Sequence, residues 1–118
     1  MRYLLLIHSD ESHYANLSEE ENGKLMAEYA AFGESLESSG AYLESARLQP
    51  VATTTTVRER NGDAVVTDGP FAETKEQLGG FYMIEAKDLD EATEWARKIP
   101  SARWGAIEVR PIWEMEDE

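Results

Sequence analysis

The sequence predicts an α+β sandwich of one domain, 118 residues long, with its elements in the order β-α-β-β-β-β-α-β. Three observations carry that expectation. Two segments repeat apolar residues at helical spacing behind clear N-terminal caps. Four strand-like segments lie between them. Two of those four flank Asn61-Gly62, the strongest short hairpin signal.

The first strand is Arg2–His8, apolar on both faces through Tyr3, Leu5 and Ile7 on one side and Leu4 and Leu6 on the other. The first helix opens at Ser18, which forms a capping box with Glu21. Leu25, Tyr29, Phe32 and Leu36 give its buried stripe, and Gly40 suits the residue past its end. Tyr42–Leu48 reads as the second strand and is stopped by Pro50. Thr54–Arg60 and Asp63–Thr67 form the hairpin, with Arg60 opposite Asp63 and Val57 opposite Val66. Phe81–Glu85 is the next strand, again apolar on both faces. Asp88 caps the second helix with Glu91 as its partner, and Ala92, Trp95, Ala96 and Ile99 form the stripe before Pro100. Ala106–Arg110 is the last strand. This order suggests a ferredoxin-like sandwich with an inserted β-hairpin. Two helices cover one face of such a sheet only, yet two strands are apolar on both. A second copy, packed sheet against sheet, covers the other face, so a homodimer is expected.

Composition narrows the function classes. There is no cysteine, which excludes disulfides, thiolate metal sites and a cysteine nucleophile. The formal net charge is −13, and no Lys/Arg cluster interrupts the acid excess. Neither nucleic acid nor an anionic membrane is an expected partner. The apolar run "LLLI" is far too short for a signal or a membrane span, so a cytoplasmic protein is expected. No Gly-rich phosphate loop and no G-x-S-x-G elbow occurs.

"TDGPFAETKEQLGGFYMIEA" resembles the signature of the DGPF-domain proteins of the YCII-related superfamily. "MRYLLLIHSDE", "LQPVATTTTVR", "DLDEATEWARKIP" and "IEVRPI" resemble the same family in the same order, so the likeness covers nearly the whole chain. The resemblance implies a ferredoxin-like fold that dimerises into an α+β barrel. It implies less about activity: YCII-type proteins are proposed to use a His–Asp pair in a cleft, and DGPF-type proteins often accompany extracytoplasmic-function sigma factors. Tyr29, in "MAEYAAF", stands at the helix position where YCII-type proteins carry the histidine.

The candidate site residues follow. Asp68 ends a strand before Gly-Pro, where its carboxylate either caps the turn or serves as a general base. Phe71 either plugs the loop onto the core or stacks on a ligand. Glu73 and Lys75 either ride in a solvated loop or line a pocket, where Lys75 suits an anionic or enolate oxygen. Gly79-Gly80 permits a bulge or a close backbone approach. Tyr29 and His8 are the candidates to assist Asp68, and Tyr82 is a core, interface or ligand-facing residue. Arg47, Gln49 and Arg110 sit near strand ends, with Arg110 and Glu108 placed to pair. His8, Asp10, Glu11 and His13 match no standard metal spacing, and neither metal nor cofactor is expected. The expected function is a dimeric small-molecule-binding protein with a pocket near the DGPF loop. The alternatives are a cofactor-free lyase or isomerase using acid–base chemistry, and an interaction module linked to a sigma factor.

Overall fold

The structure, a computed structural model, describes residues 1–115. Its strands are β1 (Arg2–Ser9), β2 (Tyr42–Arg47), β3 (Thr55–Arg60), β4 (Asp63–Asp68), β5 (Gln77–Glu85) and β6 (Ala106–Pro111). Its helices are α1 (Glu11–Ala15), α2 (Glu19–Ser39) and α3 (Leu89–Lys98). Four strands form an antiparallel sheet in the order β2-β5-β1-β6, and β3 and β4 form a separate hairpin.

Local chemistry accounts for the element ends. Ser18 and Glu21 form the expected capping box on α2, and Gly40 closes that helix in the left-handed conformation at φ 81°. Asp88 accepts the backbone N–H of Glu91 and starts α3. Asn61 and Gly62 both take positive φ, 53° and 84°, as a two-residue hairpin turn requires. The pairs Val57↔Val66 and Arg60↔Asp63 fall where the turn length sets them.

Two elements differ from expectation. A short helix, α1, occupies the stretch between the first strand and Ser18, where no element is expected. Asp10 caps it by accepting from the Ser12 backbone N–H at 2.9 Å. Five residues are too few for apolar periodicity to reveal. β5 also begins at Gln77, four residues before Phe81. A bulge explains the early start. Ile7 pairs with Gly80 but His8 pairs with Leu78, so Gly79 is the extra residue. A side chain at Gly80 would place its Cβ 2.7 Å from the Ala46 carbonyl oxygen, so the edge strand β2 approaches β5 closely here.

The core lies between the sheet and the two long helices. Tyr3, Leu5 and Ile7 from β1 meet Phe32 and Leu36 from α2, Ala92 and Ala96 from α3, and Ile84 from β5. Leu5, Leu36 and Ile84 are fully enclosed, and burying each contributes roughly 1.5–3 kcal/mol. The opposite face carries Leu4 and Leu6 from β1 beside their register partners Met83 and Phe81. All four are half-buried and lie outside the core, which both long helices cover from the other face. The hairpin stands away from this body. Every one of its residues is exposed except Thr56, and Val57 and Val66 are 62% and 61% exposed. The radius of gyration is 16.6 Å, against about 13.5 Å for a compact chain of this length.

Candidate functional site

The site is a cleft of about 540 Å³ on the helix-covered side of the sheet. α1 and the N-terminal half of α2 form one wall, and the β2–β5 end of the sheet forms the other. Ile7, Leu25, Met26 and Leu48 make its apolar surface. Gly79 and Gly80 keep the floor low, because no side chain rises from the sheet at that point.

Four hydroxyls run in series beside the cleft, and three of them, Ser9, Tyr14 and Tyr29, line it. Ser9 Oγ lies 2.9 Å from the Tyr14 hydroxyl, which lies 3.0 Å from Ser101 Oγ. Ser101 Oγ in turn shares a short hydrogen bond with the Tyr29 hydroxyl. Ser9 and Ser101 are both buried, Ser101 completely. Each position has a local cause. Pro100 ends α3 and begins a 3₁₀ turn, Pro100–Arg103, that carries Ser101 inward. Arg103 fastens this turn to α2 through a bidentate pair with Glu28, at 2.6 and 2.8 Å. That pairing holds the Glu28 carboxyl below its ordinary range. α1 is held in turn by His13, whose ring stacks on Trp104 at 4.4 Å, and by Glu11. The Glu11 carboxylate accepts the Val51 backbone N–H at 2.8 Å, and the Glu11 N–H donates to Gln77 Oε1 at 3.0 Å.

Burial pushes the Tyr29 phenol up, an effect the hydrogen bond from Ser101 partly offsets. Burial also raises Tyr82 to about 12, with Tyr29 and Tyr42 adding to the shift. Both phenols therefore keep their protons at neutral pH and remain hydrogen-bond donors. The Tyr82 hydroxyl has no hydrogen-bond partner among the described residues. Arg47 lines the same cleft and makes no ion pair among the described residues. Its charge reaches Tyr29 and favours the ionised phenol slightly. A second depression, about 570 Å³, lies between the end of α2 and α3. It is as large, but charged side chains such as Lys87, Glu91 and Glu94 line it and no hydroxyls converge there, so the first cleft is the better candidate.

The expected site residues fall in three places. Tyr29 and Tyr82 line the cleft, as does Gln77 at the end of the DGPF segment. His8 projects from the other face of the sheet, with Leu4 and Leu6. Its Nε2 lies 2.6 Å from Glu108 Oε1, close enough for an ion pair but out of line for a hydrogen bond. Glu108 thus meets His8 rather than the Arg110 expected from alternation. Asp68, Phe71, Glu73 and Lys75 sit at the base of the hairpin, exposed and outside the cleft. Phe71 is 78% exposed and does not plug the loop onto the core, because the hairpin holds this loop away from the two-layer body. The turn is not capped by the Asp68 carboxylate either. Gly69 donates its N–H to the Thr54 carbonyl at 2.6 Å, and Thr56 Oγ1 donates to the Gly69 carbonyl at 2.7 Å. Among the described residues, no group of three or more His, Asp or Glu side chains converges to hold a metal. No helix among them is long and apolar enough to cross a membrane.

The fold and the site together define a two-layer α+β protein with a partly enclosed, largely apolar cleft of small-molecule size. The chain belongs to the YCII-related domain family, whose model matches residues 1–116. It is similar to Uncharacterized protein R00369 of Rhizobium meliloti (strain 1021), at 41% identity over 114 residues. That match covers 95% of this chain and 92% of the relative.

Proposed function

We propose that this chain is a small-molecule-binding protein whose ligand occupies the cleft between α1, α2 and the β2–β5 end of the sheet. One observation carries the reading: an apolar recess of about 540 Å³ into which Tyr29, Tyr82 and Arg47 converge. That volume is within the range of ligand pockets, roughly 300–1,000 Å³, and a few aimed polar groups on apolar walls are what such pockets hold. The cleft adjoins the DGPF segment through Gln77, Gly79 and Gly80 rather than through Asp68.

The active form is a homodimer of ferredoxin-like units. The strand order β2-β5-β1-β6 and the single layer of helices support the ferredoxin-like reading. The open face of Leu4, Leu6, Phe81 and Met83 supports a second copy packed against it. The experiment pairs two variants. Met26→Trp fills the cleft and is expected to abolish binding of small molecules recovered from a fragment screen by nuclear magnetic resonance. Leu6→Glu places a charge on the open face and is expected to turn a dimeric mass by light scattering into a monomeric one. A wild-type monomer at micromolar concentration, or fragments that bind Met26→Trp unchanged, would overturn the corresponding half.

A further inference from the structure

We infer that the cleft selects an organic anion, a carboxylate on an apolar body, held between the Arg47 guanidinium and the Tyr29 hydroxyl. This rests on the cleft being the binding site and names the chemistry it takes.

The argument is an account of protons. Each hydroxyl carries one donor hydrogen. Ser9, Tyr14, Ser101 and Tyr29 bring four such hydrogens to a chain of three links. One hydrogen is therefore always left over. Ser101 is fully buried and its Oγ has no other partner among the described residues, so its hydrogen stays within the chain. When every link runs from Ser9 toward Tyr29, the surplus hydrogen is on Tyr29 and faces the cleft. An acceptor placed there selects that arrangement, and four aligned hydroxyls strengthen the final donor.

Charge decides which acceptor. One acidic and one basic side chain line the cleft among the described residues, Glu11 and Arg47. One oxygen of Glu11 is taken by the Val51 N–H. Arg47 is uncompensated by any ion pair among the described residues, in a chain with 24 acidic residues against 11 basic. By register Arg47 sits opposite Gly80, and Ser45 sits opposite Tyr82. Arg47 and Tyr82 therefore border one stretch of the β2–β5 edge, and Tyr29, from α2, lines the same cleft. A planar guanidinium beside a hydroxyl donor fits a carboxylate. The walls of Leu25, Met26 and Leu48 fit an apolar body and offer nothing to a highly hydrated ion.

The test titrates ¹⁵N-labelled protein with benzoate and with benzamide, its neutral counterpart of the same shape, following the Gly79 and Gly80 amides. Benzoate is expected to bind about tenfold more tightly, the effect of one charge-assisted hydrogen bond. Arg47→Gln should erase that preference while leaving benzamide binding unchanged. Tyr29→Phe, which keeps the ring and removes the hydroxyl, should weaken benzoate about fivefold or more. Equal binding of the two compounds, or a preference that survives Arg47→Gln, overturns the anion inference and leaves the cleft as a site for neutral ligands. Failure of both compounds to shift either amide at millimolar concentration counts against the cleft itself.

Discussion

The loop from Asp68 to Glu76 and the cleft around Tyr29 differ in a way that composition hides. The loop has the greater density of charge, with Asp68, Glu73, Lys75 and Glu76 in nine residues, and it is exposed throughout except at Gly69 and Pro70. The cleft and the hydroxyl chain behind it draw their polar groups from separate parts of the chain: Ser9 with Tyr14, then Tyr29, Arg47 and Ser101. Charges close in sequence become solvated neighbours when their segment packs against nothing. Hydroxyls from β1, α1, α2 and the 3₁₀ turn become a network when those four elements meet. Convergence, rather than local density, is what identifies a site.

That contrast can be broken at several points. The largest expected effect is on stability. Leu5→Ala, beneath the helices, should cost about 2–5 kcal/mol in a urea titration. Val57→Ala, on the hairpin, should cost less than about 1 kcal/mol. A large cost at Val57 that depends on protein concentration would mean that the hairpin is buried against another copy. A smaller effect is expected from pH. The Tyr82 phenol of the folded chain holds its proton to about 12, whereas the unfolded chain releases it near 10. The folded-state value is the raised one, so this contribution to stability is fully present below pH 10 and is lost as pH rises through 12. Urea midpoints of the wild type should accordingly fall relative to Tyr82→Phe across that window, and parallel midpoints would disprove the shift. The smallest effects belong to the loop. Asp68→Asn and Glu73→Gln should each change stability by less than about 0.5 kcal/mol and leave ligand titrations unaltered. If Asp68→Asn abolishes binding, the loop of one protomer completes the cleft of another and the contrast collapses.

Much of the fold was legible because it is written locally. Asn61-Gly62 announces its own turn, and Ser18 with Glu21 and Asp88 with Glu91 announce helix starts within four residues. The alternation of Tyr3, Leu5 and Ile7 with Leu4 and Leu6 marks a strand with two apolar faces. α1 was not legible, because its hold on the fold comes from His13 on Trp104 and from Glu11, partners far away in the chain. Gly79-Gly80 reads as a bulge or a close backbone approach, and both occur there, but the sequence does not show that the strand runs on through the bulge to Gln77. Of the site, Tyr29 and Tyr82 were visible as large amphipathic residues on predicted elements, and Arg47 as a cation at a strand end. Ser101 gave no signal. In "IPSARW" it is an ordinary small residue after a helix stop, and only tertiary packing places its hydroxyl between two tyrosines.

The bulge at Gly79 has a consequence for chain length. In a regular strand, losing one residue exchanges the two faces for everything on one side of the loss. Here the extra residue has already absorbed that step: Gly80 and Gln77 lie on the helix side with Ile7 and Ser9, and Leu78 lies on the open side with His8. Deleting Gly79 would leave Gln77 opposite Ser9 and Leu78 opposite His8, altering the local twist and not the assignment of faces. The strand at the floor of the cleft can therefore shorten by one residue while its polar end and its apolar face keep their places.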